Sequence, residues 1–320
     1  MKLIQYLKEK HDNLTNRAIK RALEAGACTV NGKIERYASV ELKPKDKVVF
    51  RNIETKAKPR LVIEDSRIIY EDDQVLVYNK DAGHAIMSTE KSTRSVSKQS
   101  FDVQVAQKKL ATSQKARVAF GDNSNFQNKS NDVNLTQELK KLYRYIEPVH
   151  RLDKQTSGLC IFAKDKKSLT ELMRQFKDKE VKKQYEAIVD GHWKLEANGR
   201  IENEMEMARK IGAMQVWQVA KRASHKSKKA ITEYQLIKNY KKYAHLALSP
   251  VTGRTHQLRV HMAHLGYPIV GDSVYAESFR SGLLLERHLL HAISLEFRQP
   301  LSKQRIKLTA PRPKELLELL

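Results

Sequence analysis

HRLDKQTSGLCIFAKD, residues 150–165, sets a dense polar run directly against an apolar one. GLCIFA is short and continuously apolar, the pattern of a strand covered on both faces and therefore central in a sheet. The polar run ahead of it, 150–158, then becomes a loop on a rigid mount. Asp153 is the single carboxylate in that loop, among His150, Arg151, Lys154, Thr156 and Ser157, with Gly158 closing it. Thr156, Ser157 and Gly158 can supply the hydroxyl and backbone donors that fix a tight turn. An exposed aspartate with a pKa of about 3.9 is a poor base or nucleophile at neutral pH, so a catalytic Asp153 needs a positioning partner, most economically an arginine. Taken alone, the run reads equally well as a surface turn in which Asp153 pairs with Arg151.

The segments downstream alternate strands with a few helices. Leu169, Leu172, Met173 and Phe176 fall at i, i+3, i+4, i+7, which predicts an amphipathic helix packed on the sheet. QYEAIVDG, KAITEYQLI and YAHLALSPV read as strands, with Tyr185 opening the first. RTHQLRVHMAHLGYP reads as a helix with Thr255 as N-cap, an apolar stripe of Leu258, Met262 and Leu265, and Gly266 and Pro268 ending it. Arg254 then sits between a strand end and a helix start, where anions are commonly received. Upstream, IIYEDDQVLVYNKDAG supplies two strands around Asp72 and Asp73. The fold class expected is α+β: a mixed, largely antiparallel sheet with flanking helices over 67–313, plus a small N-terminal α/β domain.

Residues 88–140 break this pattern, being rich in serine, glutamine and asparagine, and predict a polar, weakly ordered insertion with a short helix around 103–118. Residues 52–66 read as a linker and 314–320 as a short tail. Residues 1–51 make a separate module. Leu3, Ile4 and Leu7 form one stripe, and Ala18, Ile19, Ala22 and Leu23 form another that stops at Gly26. Asn31-Gly32 between Val30 and Ile34 is a strong hairpin signal, and VELKPKDKVVF supplies a further strand. Arg17, Lys20 and Arg21 share one face of the second helix, either a solvated side or a basic contact surface.

Sixty Lys+Arg against 37 Asp+Glu leave a net charge of +23, which favours polyanionic partners, nucleic acid first. No apolar run approaches the roughly 20 residues of a membrane-spanning helix, and the first residues turn charged before a signal-type apolar region can form, so a soluble, unexported, cytoplasmic protein is expected. Cys28 and Cys160 lie far apart among apolar neighbours and read as small core residues. His256, His261 and His264 are spaced so that only some share a face, and no acidic ligand lies among them, so no metal is expected. With neither a phosphate-cradling glycine loop nor a dinucleotide fingerprint, no cofactor is expected.

Three stretches in order, HRLDKQTSGLCIFAKD, KKQYEAIVDG and TGRTHQLRVHMAHLGYPIVGDSVY, resemble the motifs of the large-ribosomal-RNA, RluA-type, family of pseudouridine synthases. The likeness covers 67–87 and 141–313. It implies isomerisation of uridine within RNA, with Asp153 as the essential aspartate acting as nucleophile or proton abstractor. It implies Tyr185 as the aromatic residue that stacks on the target base and removes the proton from the carbon of the new link, and Arg254 as the arginine paired with the aspartate. Arg151 stands where the family's arginine fills the space of a flipped-out base, a step that costs a few kcal/mol. His150 and His256 read as hydrogen-bonding neighbours of the site. The order of elements over 1–51 resembles an S-four type RNA-binding domain, which casts Arg17, Lys20 and Arg21 as RNA contacts. The family's usual Asn-Lys-Pro-Ala-Gly is NKDAG here, with Asp81 in place of proline. The partner implied is RNA, ribosomal RNA ahead of transfer RNA, with no obligate protein partner and a monomer as default. Two rivals are a non-catalytic RNA-binding protein that keeps the fold, and an RNA hydrolase using Asp153 and His150.

Overall fold

The computed structural model describes residues 1–24, 26–50, 61–87, 133–211, 214–276, 281–283 and 285–320. At the N-terminus, α1 (Leu3–Lys10) and α2 (Asn16–Glu24) pack Leu3, Leu7, Ile19 and Leu23 with Cys28 into a small core. Strands β1 (Cys28–Val30) and β2 (Lys33–Ile34) pair antiparallel with Val30 opposite Lys33. Asn31 and Gly32 between them both take positive φ, 53° and 81°, the two-residue turn that the Asn-Gly pair favours. The strand expected from VELKPKDKVVF shortens to β3 (Val48–Phe50), antiparallel to β1.

The large sheet is built from β4 (Ile68–Glu71), β5 (Val75–Lys80), β6 (Glu147–Pro148), β7 (Ser157–Ala163), β8 (Lys182–Asp190), β9 (Asn198–Ile211), β10 (Met214–Val219), β11 (Lys228–Asn239), β12 (Tyr243–Pro250), β13 (Leu290–Arg298) and β14 (Arg305–Thr309). Its order is β10-β9-β11-β12-β8-β13-β7-β5-β4, with β14 on β13 and β6 on β7. Among the described pairs only β7 with β13 is parallel, so the sheet is mixed and largely antiparallel. All seven residues of β7 are buried, as the run GLCIFA demands of a central strand.

α3 (Leu135–Leu139), α4 (Lys166–Lys177), α5 (Gln257–His264) and α6 (Lys314–Leu317) complete the described α-helices, and a short 3-10 turn spans Asp65–Arg67. α4 follows the expected stripe through Leu169, Leu172 and Phe176, but Met173 faces outward, 54% exposed. The helix expected around 103–118, and the insertion as far as residue 132, lie outside the described residues, as does the linker from 52 to 60. The last part of the expected insertion is corrected: α3 has an Asn134 cap on Gln137, buries Leu135 and Leu139, and bonds Thr136 to the Ile86 carbonyl. Two apolar residues one helical turn apart were enough to dock this short, otherwise polar segment on the core. No described helix is long and apolar enough to cross a membrane.

Candidate active site

The loop before β7 presents Asp153 to a cleft of about 280 Å³, whose walls include Arg151, Lys183, Tyr185, Arg254, His256 and Arg259. Three features set the loop. The Thr156 amide donates to the Asp153 carbonyl at 3.0 Å, closing a tight turn. The Thr156 hydroxyl bonds His288 Nε2 and the Ser157 hydroxyl bonds His291 Nδ1, each at 2.9 Å. Gly158 has φ +113°, and a Cβ there would lie 2.3 Å from the Ala292 carbonyl, so the parallel approach of β7 to β13 requires glycine.

A second clamp reaches the loop from β5. Lys80 is buried, and its ammonium donates to the carbonyls of Asp81, His84 and Lys154 at 2.8, 3.0 and 3.2 Å. It joins the NKDAG turn to the residue following Asp153, and the Gly83 amide reinforces the junction by donating to the same Lys154 carbonyl. Burial pushes the Lys80 pKa down to about 8, against which Cys160 and Asp153 pull upward. Asp81, standing in place of proline, pairs with Arg67 at 2.7 Å, while its carbonyl serves Lys80.

The arginine on Asp153 is Arg259, which corrects the expectation for Arg254. Arg259 donates through Nε and Nη2 to both oxygens of Asp272, at 2.7 and 2.9 Å, and through Nη1 to Asp153 Oδ2 at 3.3 Å. Its guanidinium also lies 5.0 Å from the Tyr275 ring centre. Arg254 lines the cleft, but its Nε donates to the Lys229 carbonyl at 2.9 Å. The reason lies in the helix start. His256 takes a left-handed conformation, φ 57°, and is the N-cap of α5, so Thr255 does not cap it. Gln257 folds the preceding loop: its Oε1 accepts from the Arg254 amide and the Thr252 hydroxyl, and its Nε2 donates to the Ile231 carbonyl. α5 is then buried on all sides from Gln257 to Met262, which turns Arg259 inward.

Burial raises the Asp153 pKa, but His256 and then Arg259 outweigh it, and the net direction is down. His256 Nε2 stands 3.9 Å from Asp153 Oδ2, yet burial takes the imidazole itself below its ordinary pKa. Near neutral pH the permanent counter-charge on Asp153 is therefore Arg259. Asp272 is completely buried; desolvation raises its pKa, and Arg259 overrides this to hold it at about 2. Tyr185 is not the first residue of its strand: β8 begins at Lys182, and Tyr185 is buried on the cleft side. Burial and then Asp153 push the phenol's pKa upward, so it stays protonated.

The other residues singled out by sequence are placed as follows. His150 accepts the Ile161 amide on Nε2 at 3.1 Å and stacks on Phe176; burial brings its pKa down to about 3. Arg151 is exposed at the cleft. His256 Nδ1 bonds the Tyr275 hydroxyl at 2.7 Å, and His261 bonds Thr232 and Asn203, so the two histidines serve different partners. Lys20 is exposed on α2, while the side chains of Arg17 and Arg21 lie outside the described residues. Arg259, Asp272 and Lys80 escaped the sequence reading. A signal existed for the first two, since both sit in the motif ending VGDSVY.

The pattern of the RNA pseudouridylate synthase family matches residues 74–264, which hold Asp153, Tyr185, Arg254 and Arg259. The chain belongs to this family. It is an RNA pseudouridine synthase, an isomerase. An uncharacterised RNA pseudouridine synthase of Chlorobaculum parvum is 31% identical over 99% of this chain and 92% of its own length. The ribosomal large subunit pseudouridine synthase C of Buchnera aphidicola is 30% identical over 88% of this chain and 78% of its own. Human RNA pseudouridylate synthase domain containing 1 shares the fold, with a TM-score of 0.55 and 24% identity over 77% of this chain and 83% of that one. The cleft brings together an ionised carboxylate, Asp153, a fixed guanidinium, Arg259, and a neutral phenol, Tyr185.

Proposed function

We propose that this synthase converts uridine to pseudouridine in large-subunit ribosomal RNA, with Asp153 as the reacting carboxylate, Tyr185 as the base-stacking residue and Arg259 as the positioning cation. The observation that carries the reading is the Arg259 guanidinium, which bonds Asp153 and a second, fully buried carboxylate at once. A carboxylate largely withdrawn from water is held ionised by such a partner, because an unpaired buried charge costs several kcal/mol. The bond from ribose C1′ to N1 breaks, C1′ joins C5, the C5 proton leaves and N1 gains a proton, so the base is rearranged without gain or loss. Asp153 takes the electrophilic ribose carbon or a proton near it. The protonated phenol of Tyr185 suits stacking and hydrogen-bond donation in preference to proton removal in the resting state. Arg151, which is exposed and lines the cleft, takes the space the flipped base leaves, as the family resemblance implies. Ribosomal RNA is favoured by the names of relatives such as the synthase C of Buchnera aphidicola. Residues 1–51, with Lys20 outward on α2, act as an S-four type grip on structured RNA, adding phosphate contacts that position without reading sequence.

The hydrolase alternative loses its base, since His150 spends Nε2 on a backbone amide and is held neutral by burial. Incubation with transcribed ribosomal and transfer RNA, followed by mapping of pseudouridine, tests the whole reading. The parent is expected to convert uridine in the large-subunit RNA, and Asp153→Asn is expected to convert none. Cleaved RNA, equal output from both proteins, or conversion in transfer RNA alone goes against it.

A further inference from the structure

Lys183 stands two residues before Tyr185 on β8, so the two side chains share a face about 6.6 Å apart, and both line the cleft. Its ammonium makes no hydrogen bond or ion pair among the described residues. Its neighbours are the Phe176 ring, 5.9 Å from Nζ to the ring centre, and the Gly253 turn, where a Cβ would sit 3.7 Å from Nζ. The two buried cations of the site have built partners: Arg259 has two carboxylates, and Lys80 has three carbonyls. Lys183 faces the cleft with its donors uncommitted. Removal from water pushes its pKa down to about 8, and no carboxylate draws it back. A partly buried ammonium with free donors in the lining of the cleft calls for an anion brought by the ligand.

Resting on the reading of this cleft as the uridine site, we propose that Lys183 receives a backbone phosphate next to the target uridine while Tyr185 takes its base. The spacing along β8 is on the scale of one nucleotide. The Gly253 turn keeps the space around Nζ open, since an unbranched glycine backbone lets a phosphate approach. Such a contact fixes the register of the flipped nucleotide relative to Asp153 without reading sequence.

The test uses the full chain, a stem-loop carrying the uridine mapped in the first experiment, and the same stem-loop with one neutral methylphosphonate placed 5′ or 3′ of that uridine. Dissociation constants and kcat/KM are measured for the parent, Lys183→Met and Lys183→Arg. Lys183→Met is expected to bind the ordinary RNA about tenfold more weakly, with its log-log salt slope reduced by about 1. One of the two methylphosphonates is expected to weaken the parent by a similar factor and to leave Lys183→Met unchanged, with Lys183→Arg close to the parent. Losses that multiply in Lys183→Met, as a merely structural role would give, overturn the proposal, and so does a parent indifferent to both methylphosphonates. A parent that converts no uridine sinks the activity reading and this one together, whereas conversion without coupling sinks this one alone.

Discussion

Replacing Arg259 by lysine keeps the charge but removes the fork that reaches two carboxylates. The guanidinium spends Nε and Nη2 on Asp272 and Nη1 on Asp153. A lysine ammonium is a single point and can satisfy one of them. Asp272 has the stronger claim: it is completely buried, whereas the Asp153 side chain is 20% exposed and has water as a substitute. The lysine therefore settles on Asp272 and Asp153 loses its orienting bond. A hydrogen bond to a charged group is worth about 1.5–3 kcal/mol, so kcat/KM is expected to fall by roughly 10- to 150-fold. Asp272 also exchanges two bonds for one, and Tm is expected to drop by about 5 °C. Arg259→Met strips both carboxylates and is expected to cost about 3–5 kcal/mol of stability. Single-turnover pseudouridine formation and thermal unfolding measure these effects, with Arg254→Lys as the comparison. Since Arg254 Nε bonds only a carbonyl in this structure, that variant is expected to lose RNA affinity, with the chemical step intact. Parental single-turnover rates in Arg259→Lys, together with a large loss in Arg254→Lys, would refute the assignment and restore Arg254 as the partner of Asp153.

Three further outcomes are expected. Asp272 has a folded pKa of about 2 against an ordinary value of 3.8, so its stabilisation is complete above about pH 5 and is lost as pH falls through 4 towards 2. Urea unfolding of the parent and Asp272→Asn should show the gap between them narrowing by about 1 kcal/mol from pH 6 to pH 3; a constant gap contradicts the linkage. Gly158→Ala forces a Cβ onto the Ala292 carbonyl in a left-handed backbone and is expected to cost at least about 3 kcal/mol by urea unfolding, with a loss near zero telling against the tight β7–β13 approach. Lys80→Met leaves three buried carbonyls without their donor and frees the residue after Asp153. Hydrogen exchange at the Gly83 amide should quicken and kcat should fall about tenfold at a temperature where the variant is folded; unchanged exchange and rate would make the clamp irrelevant.

Arg254 and Arg259 mark the limit of what a linear pattern can carry. Both arginines sit in TGRTHQLR, five residues apart, and a helix start does attract anions. Choosing between them needs the direction of each side chain, which follows from the left-handed turn at His256 and the Gln257 bonds to a strand more than twenty residues away in sequence. α3 is illegible in the sequence for a related reason, since its two buried leucines have meaning only once Ile86 is beside them.

Composition, the Asn31-Gly32 turn, the unbroken apolar run of β7 and the order of three polar motifs were local matters, and the sequence by itself determined them. They fixed an α+β chain with a central strand, a basic surface and Asp153 and Tyr185 as residues to bring together. Tertiary structure alone decided which cation holds Asp153, that Asp272 shares it, that Lys80 ties the NKDAG turn to the loop and that Lys183 is left uncommitted. Those are matters of direction and desolvation, which arise only when strands distant in sequence close around a charge and remove its water.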